Sequence, residues 1–91
     1  MEKQSDERNR MSREFFVQFL KSDPEQYLQT PELNEILYLN YKGFGEILNL
    51  EQFPNVKCLY LEGNAFPRIQ GLSKCLQLRS LYLHENLIEK I

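Results

Sequence analysis

The six residues Leu59-Tyr60-Leu61-Glu62-Gly63-Asn64 recur further along the chain as Leu81-Tyr82-Leu83-His84-Glu85-Asn86. A weaker copy, Leu37-Tyr38-Leu39-Asn40-Tyr41-Lys42, precedes them, and the interval between copies is 22 residues each time. Apolar residues between the copies keep the same interval, in the columns Phe44/Phe66/Ile88, Ile47/Ile69/Ile91, Leu50/Leu72, Phe53/Cys75 and Val56/Leu78. So many matching columns at one offset indicate an internal repeat.

Each copy contains a leucine pair that is typical of a short β-strand. The two leucines of Leu59-Tyr60-Leu61 point the same way because side chains alternate along a strand, and one strand alone cannot bury them. Stacking successive copies buries them beneath a parallel sheet, and the interval and spacing are those of a leucine-rich repeat. The sequence therefore predicts an α/β leucine-rich repeat solenoid of about three 22-residue coils, with short parallel strands on its concave face. The predicted core leucines of the strands are Leu37, Leu39, Leu59, Leu61, Leu81 and Leu83.

An asparagine stands where the chain turns out of the second and third predicted strands, at Asn64 and Asn86. Its side-chain amide can donate to and accept from backbone groups that the turn leaves unpaired. Lys42 occupies the same column in the first copy and cannot play this part. We therefore expect the first coil to be atypical, as terminal repeats usually are.

Three segments divide the chain before and within the repeats. Residues 1–10 are almost wholly polar and are expected to form a disordered leader, a contact with a partner being the alternative. Residues 11–33 are expected to form an N-terminal capping helix, Met11–Lys21 with Ser12 as N-cap, followed by a connector. A partner-binding helix is the alternative for that segment. Residues 34–91 hold the repeats.

The last coil has nothing after it to cover its core. Ile91 falls in a core column, and no later residue shields Leu81 and Leu83. An uncovered end of a solenoid exposes apolar surface and a strand edge. We therefore expect these 91 residues to be the front of a longer solenoid, truncated at its C-terminal end.

Composition excludes several classes of function. A net charge of −2 argues against binding nucleic acid through bulk positive charge, and no apolar run approaches the ~18 residues of a membrane span. Cys58 and Cys75 are predicted to lie on opposite sides of the coil, so a disulfide between them is not expected. These features, with the polar first ten residues, favour an intracellular location.

The sequence contains no recognisable catalytic or metal-binding constellation. His84 is the single histidine, and a metal site requires three or four convergent ligands. The carboxylates are scattered through the repeats and form no pair. We therefore predict a protein that is not an enzyme and has no cofactor, metal or small-molecule substrate.

A column of tyrosines lies between the core leucines, at Tyr38, Tyr60 and Tyr82. Strand alternation turns this column outward to the concave face, and parallel strands about 4.8 Å apart should bring the rings into a contiguous row. A contact surface is one interpretation, because tyrosine is enriched at binding sites; good strand propensity is the other. The row is flanked by Ile36, Cys58 and Ser80 on one side. The predicted protein-binding residues are Tyr38, Tyr60 and Tyr82 together with the other flank, Asn40, Glu62 and His84.

Two levels of resemblance follow from these motifs. Ile47-Leu48-Asn49-Leu50 and Ile69-Gln70-Gly71-Leu72, which lead into the strands, resemble the SDS22-like class of leucine-rich repeats. Met11-Ser12-Arg13-Glu14-Phe15, then residues 30–39, then Lys42-Gly43-Phe44, resemble the opening of the dynein axonemal assembly factor 1 family, also called leucine-rich repeat-containing protein 50. This resemblance covers residues 11–91.

The resemblance implies a non-enzymatic binding scaffold needed for cytoplasmic preassembly of axonemal dynein arms and for motile cilia or flagella. The partners it implies are dynein arm subunits or assembly co-chaperones, and the location is the cytoplasm and the cilium. Other SDS22-like binding modules, such as a phosphatase regulatory subunit or a spliceosomal repeat protein, are the alternative. An enzyme with an appended repeat domain is a third possibility, and its catalytic part would lie outside this chain.

Overall fold

The computed structural model describes residues 9–89. Most of the predicted leader and the predicted core residue Ile91 lie outside this range. Within it the chain forms one α-helix and a three-stranded parallel sheet, which agrees with the predicted α/β class. The strands are β1 (Ile36–Tyr38), β2 (Cys58–Tyr60) and β3 (Ser80–Tyr82), in that spatial order.

The register of the sheet follows the sequence repeat. Leu37 pairs with Leu59 and Leu59 with Leu81, so residues one repeat apart are neighbours across the strands. Leu37, Leu39, Leu59 and Leu61 are fully buried on one face of the sheet. The repeat interval is thus also the structural register, because equivalent residues of successive repeats lie side by side in the sheet.

Asn64 ties two coils together from a largely buried position, with 8% of its surface exposed. Its Nδ2 donates to the carbonyl oxygens of Leu39 (3.0 Å) and Leu61 (2.9 Å), and its Oδ1 accepts from the backbone N–H groups of Lys42 (3.1 Å) and Phe44 (3.0 Å). The asparagine therefore pairs backbone groups of its own coil and of the coil before it.

Asn86 repeats this arrangement one coil later. Its Nδ2 donates to the carbonyls of Leu61 (2.9 Å) and Leu83 (3.0 Å), and its Oδ1 accepts from the N–H of Phe66 (3.0 Å). Because each asparagine bridges back to the preceding coil, the first coil has no such bridge to make. This explains why Lys42 is accepted in that column.

The helix α1 spans Arg13–Ser22, so it begins two residues later and ends one residue later than Met11–Lys21. Ser12 is the N-cap, and its Oγ accepts from the N–H of Phe15 at 3.0 Å. Met11 lies outside the helix and is fully buried, while its carbonyl accepts from Asn49 Nδ2 at 2.7 Å. The Ser12 cap therefore marks the first turn, and Met11 lies before the helix as part of the core.

Aromatic rings join α1 to the first coil. The Phe15 ring meets Phe44 edge-on with 5.1 Å between centroids, and the Phe16 ring lies 5.1 Å from Phe53. Such aromatic pairs contribute about 0.5–1.5 kcal/mol each beyond the apolar area they bury. Phe16, Phe44 and Phe53 are all buried, so helix and sheet share one core.

The connector between α1 and β1 is held by two residues that the repeat pattern does not single out. The Tyr27 hydroxyl accepts from the Tyr38 N–H at 3.1 Å, which pairs a backbone donor on the outer edge of β1. Asn34, only 5% exposed, accepts from the Leu28 N–H at 2.9 Å and donates to the carbonyls of Leu28 (2.8 Å) and Thr30 (3.2 Å). The edge of β1 is therefore shielded by buried polar contacts.

Candidate protein-binding surface

The tyrosine ladder, which we define as Tyr38, Tyr60 and Tyr82, occupies the face of the sheet opposite the buried leucines. Successive ring centroids are 4.6 Å apart, and the rings are inclined by 19° and then by 7°. This spacing is close to the distance between neighbouring strands, so the rings stack because the strands do. Tyr38 and Tyr82 are 38% and 40% exposed, and Tyr60 between them is half-buried.

Stacking determines what the ladder offers to a partner. The faces of the Tyr60 ring are covered by its two neighbours, so the surface presents ring edges and hydroxyl groups there. The outward faces of Tyr38 and Tyr82 remain at the two ends of the ladder. The result is a flat strip with an apolar body and polar groups, which suits contact with a protein segment.

Ile36, Cys58 and Ser80 form the flank beside the N-terminal ends of the strands. Ile36 is exposed, and Cys58 and Ser80 are half-buried. A hydrogen bond with the Cys58 side chain, followed by partial burial and nearby groups, raises the pKa of Tyr60 from 10.0 to about 12. The Tyr60 hydroxyl is therefore harder to ionise than that of an isolated tyrosine.

Asn40, Glu62 and His84 form the second flank, at the C-terminal ends of the strands. Asn40 and Glu62 are half-buried and His84 is exposed. The backbone of this row continues the pairing of the sheet, because the N–H of Tyr41 donates to the Glu62 carbonyl at 2.9 Å and the N–H of Gly63 donates to the His84 carbonyl at 3.1 Å. One carboxylate oxygen of Glu62 is buried and has no hydrogen-bond partner among the described residues.

Tyr41 contacts residues of the next two repeats beside this flank, although sequence reasoning did not single it out. It shares a column with Gly63 and Glu85, and all three have positive φ, at 55°, 75° and 60°. The Tyr41 ring lies over Gly63, where an added Cβ would come within 2.1 Å of Tyr41 Cδ1, and its hydroxyl donates to Glu85 Oε1 at 2.9 Å. The sequence signal for this contact is Gly63, because glycine favours a positive φ and has no side chain that would clash with the Tyr41 ring.

The described part of the chain contains neither a cluster of metal ligands nor a helix that could span a membrane. Within residues 9–89 no three His, Cys, Asp or Glu side chains are placed to hold a metal ion. No helix in that range is long and apolar enough to span a bilayer. Cys58 and Cys75 are both free, and Cys75 is buried with its Sγ 3.6 Å from the Leu50 carbonyl oxygen.

A helix packed against the first repeat, three parallel strands in one register, and an asparagine at the second and third turns are compatible with a leucine-rich repeat architecture. No protein-family model matches the chain, and no solved structure matches it.

Curated proteins do match, and they confirm the resemblance that the motifs indicate. The chain is 47% identical over 57 residues to a dynein axonemal assembly factor 1 homolog of Drosophila melanogaster, covering 63% of the chain and 4% of that protein. It is 48% identical over 44 residues to the leucine-rich repeat-containing protein ODA7 of Chlamydomonas reinhardtii, covering 48% and 10%. It is 44% identical over 52 residues to dynein axonemal assembly factor 1 of Peromyscus polionotus, covering 57% and 8%. The matched stretch spans a tenth or less of these relatives.

Proposed function

We propose that this chain is a non-enzymatic protein-binding scaffold that serves the cytoplasmic preassembly of axonemal dynein arms, and thereby the motility and structure of cilia or flagella. The observation that carries the proposal is the 47% identity over 57 residues to a protein named as a dynein axonemal assembly factor 1 homolog. The relative in Chlamydomonas is named as a leucine-rich repeat protein, which supports a binding module over a catalyst.

The proposal includes the architecture of the chain. Residues 34–91 form a leucine-rich repeat solenoid of about three coils, and residues 11–33 form its N-terminal cap and connector. The ring contacts of Phe15 and Phe16 with the first coil support the capping role. Residues 1–10 act as a leader. The locations that go with this function are the cytoplasm and the cilium or flagellum.

The proposal also places partner binding on the concave face. Partners contact the tyrosine ladder and the row beside it, Asn40, Glu62 and His84. The support is an exposed aromatic strip on a rigid sheet, since exposed apolar surface of this kind often marks a contact site. The partners proposed are dynein arm subunits or assembly co-chaperones.

A capture experiment from ciliated cells tests this function. The tagged chain is compared with a Tyr60→Ala/Tyr82→Ala double variant and with Leu76→Ala, which changes an exposed apolar residue away from the ladder. We expect dynein heavy or intermediate chains and co-chaperones to be captured by the original chain and by Leu76→Ala, and to be at least tenfold reduced for the double variant. Mass spectrometry identifies the proteins captured.

Two results would contradict the proposal. Capture of phosphatase or spliceosome subunits in place of dynein subunits would assign the chain to another SDS22-like binding module. Unchanged capture of dynein subunits by the double variant would remove the binding role of the ladder. Circular dichroism of the double variant shows whether the sheet is retained.

A further inference from the structure

We infer that the concave face binds a segment of a partner protein that carries an arginine, with the guanidinium group at Glu62 and the apolar neighbours of that arginine on the tyrosine ladder. This inference rests on the proposed binding function and specifies the chemistry of the partner. It follows from the charge on this face and from an unpaired carboxylate oxygen within it.

The charge on the concave face is negative. Glu62 is the one acidic residue of the ladder and its two flanks, and these nine residues include no lysine or arginine. Glu85 adds a second carboxylate beside this face, where the Tyr41 hydroxyl donates to it at 2.9 Å. Glu85, mainly through this hydrogen bond, and Glu62, through its negative charge, both raise the pKa of the Tyr41 hydroxyl. The two acidic groups therefore converge near one point.

No basic side chain among residues 9–89 neutralises this point. The ion pairs in that range join Arg13 to Glu51 at 2.9 Å and Lys57 to Glu35 at 3.5 Å, and neither includes Glu62 or Glu85. The ammonium group of Lys42 lies over the Phe19 ring, 5.7 Å from its centroid, on the side of the helix. A cation supplied by a partner would complement the charge.

The Glu62 carboxylate lacks a hydrogen-bond donor for one of its oxygens among the described residues. This oxygen is buried without a hydrogen-bond partner within the described structure, which is unfavourable. Because the Glu62 side chain is half-buried, a rotation that brings this oxygen to the surface lets a donor from a partner bind it. A guanidinium group has five N–H donors in a planar fork that matches a carboxylate. It also stacks on aromatic rings, and the outward face of Tyr82 lies at the end of the ladder. Arginine therefore fits both features of the face better than lysine.

Three peptides test the inference directly. They share one seven-residue sequence with a leucine on each side of the central position, and that position holds arginine, its neutral isostere citrulline, or glutamate. Each is titrated into the 91-residue chain and followed by amide chemical shifts. We expect the arginine peptide to shift the amides of β2 and β3 and to bind at least tenfold more tightly than the other two.

Matched variants of the chain identify the carboxylate. Glu62→Gln should weaken the arginine peptide at least tenfold and remove its advantage over the citrulline peptide. Glu51→Gln is the control, because that carboxylate pairs with Arg13 away from the ladder. We expect Glu62→Gln to keep or raise the thermal unfolding temperature, since one of the Glu62 carboxylate oxygens has no hydrogen bond to lose within the described structure. A lowered temperature would show a structural role for Glu62 and would overturn the inference.

The inference also fails if the arginine peptide does not bind at about 1 mM, or if all three peptides bind equally. Its failure is distinguishable from that of the proposed function. If the Tyr60→Ala/Tyr82→Ala variant loses dynein subunits and Glu62→Gln retains them, the binding function stands and the arginine site is wrong. If the original chain captures no dynein subunit, the proposed function falls, and the peptide preference alone decides the inference.

Discussion

The two edges of the sheet differ although they are built from the same repeat. The edge at β1 is covered by α1 and the connector, with Phe16 packed on Phe53 and the Tyr27 hydroxyl on the Tyr38 N–H. On the β3 side Leu81 and Leu83 are only partly buried, and Leu87 is 63% exposed. Equivalent leucines therefore stabilise the fold to different extents, because burial depends on what packs over each coil rather than on the repeat itself.

The largest expected effect comes from truncating equivalent leucines in adjacent coils. Leu59→Ala should lower the free energy of unfolding by about 4 kcal/mol, because this side chain is fully buried and its removal leaves a cavity. Leu81→Ala should cost about half as much or less, since Leu81 is only partly buried. Denaturant unfolding of both variants measures the difference. Equal losses would show that the two sides of the sheet are equally packed.

The asparagine turns provide the second comparison. Asn64→Ala should cost about 3 kcal/mol, because it leaves buried backbone groups on two coils without partners. Asn86→Ala should cost about 1–2 kcal/mol, since water can replace the bonds of a partly exposed side chain. Asn55→Ala is the control, as its bond to the Glu32 carbonyl is exposed. A larger loss for Asn86 than for Asn64 would reverse the comparison.

A smaller effect is expected from the connector. Tyr27→Phe keeps the buried ring but removes the acceptor for the Tyr38 N–H, so stability should fall by about 1 kcal/mol. Hydrogen exchange of the Tyr38 amide should accelerate in the same variant. Tyr82→Phe, which changes an exposed ring on the other edge strand, should leave stability unchanged. Unchanged exchange at Tyr38 would contradict the role of Tyr27 at this edge.

The smallest expected effect concerns pH. The pKa of Tyr60 is raised from 10.0 to about 12, so the folded chain holds this proton where the unfolded chain releases it. The stabilising contribution is therefore present below about pH 10 and is lost as the pH rises through about 12. Ultraviolet titration of the tyrosinate bands should show a group that ionises near pH 12, assigned by its loss in Tyr60→Phe. In Cys58→Ala the pKa should move back toward 10.0 because the main hydrogen bond is gone.

The sequence alone determined the order and register of the strands, although each strand, such as Cys58–Tyr60, lies one residue earlier than the Leu-Tyr-Leu segment that predicts it. The interval of 22 residues sets which leucines pair and brings Tyr38, Tyr60 and Tyr82 into one row. A repeat makes this possible because contacts between coils are contacts between equivalent positions, so one column of the sequence describes one line in the structure.

Only the tertiary structure revealed the roles of residues that do not follow the repeat pattern. Asn34 occupies the column of Val56 and Leu78, and its polar side chain is accepted there because the folded connector supplies Leu28 and Thr30 as partners. Tyr41 likewise depends on Gly63 and Glu85, one and two coils away. Such contacts depend on how a side chain is placed on neighbouring coils, and no column of a sequence contains that information.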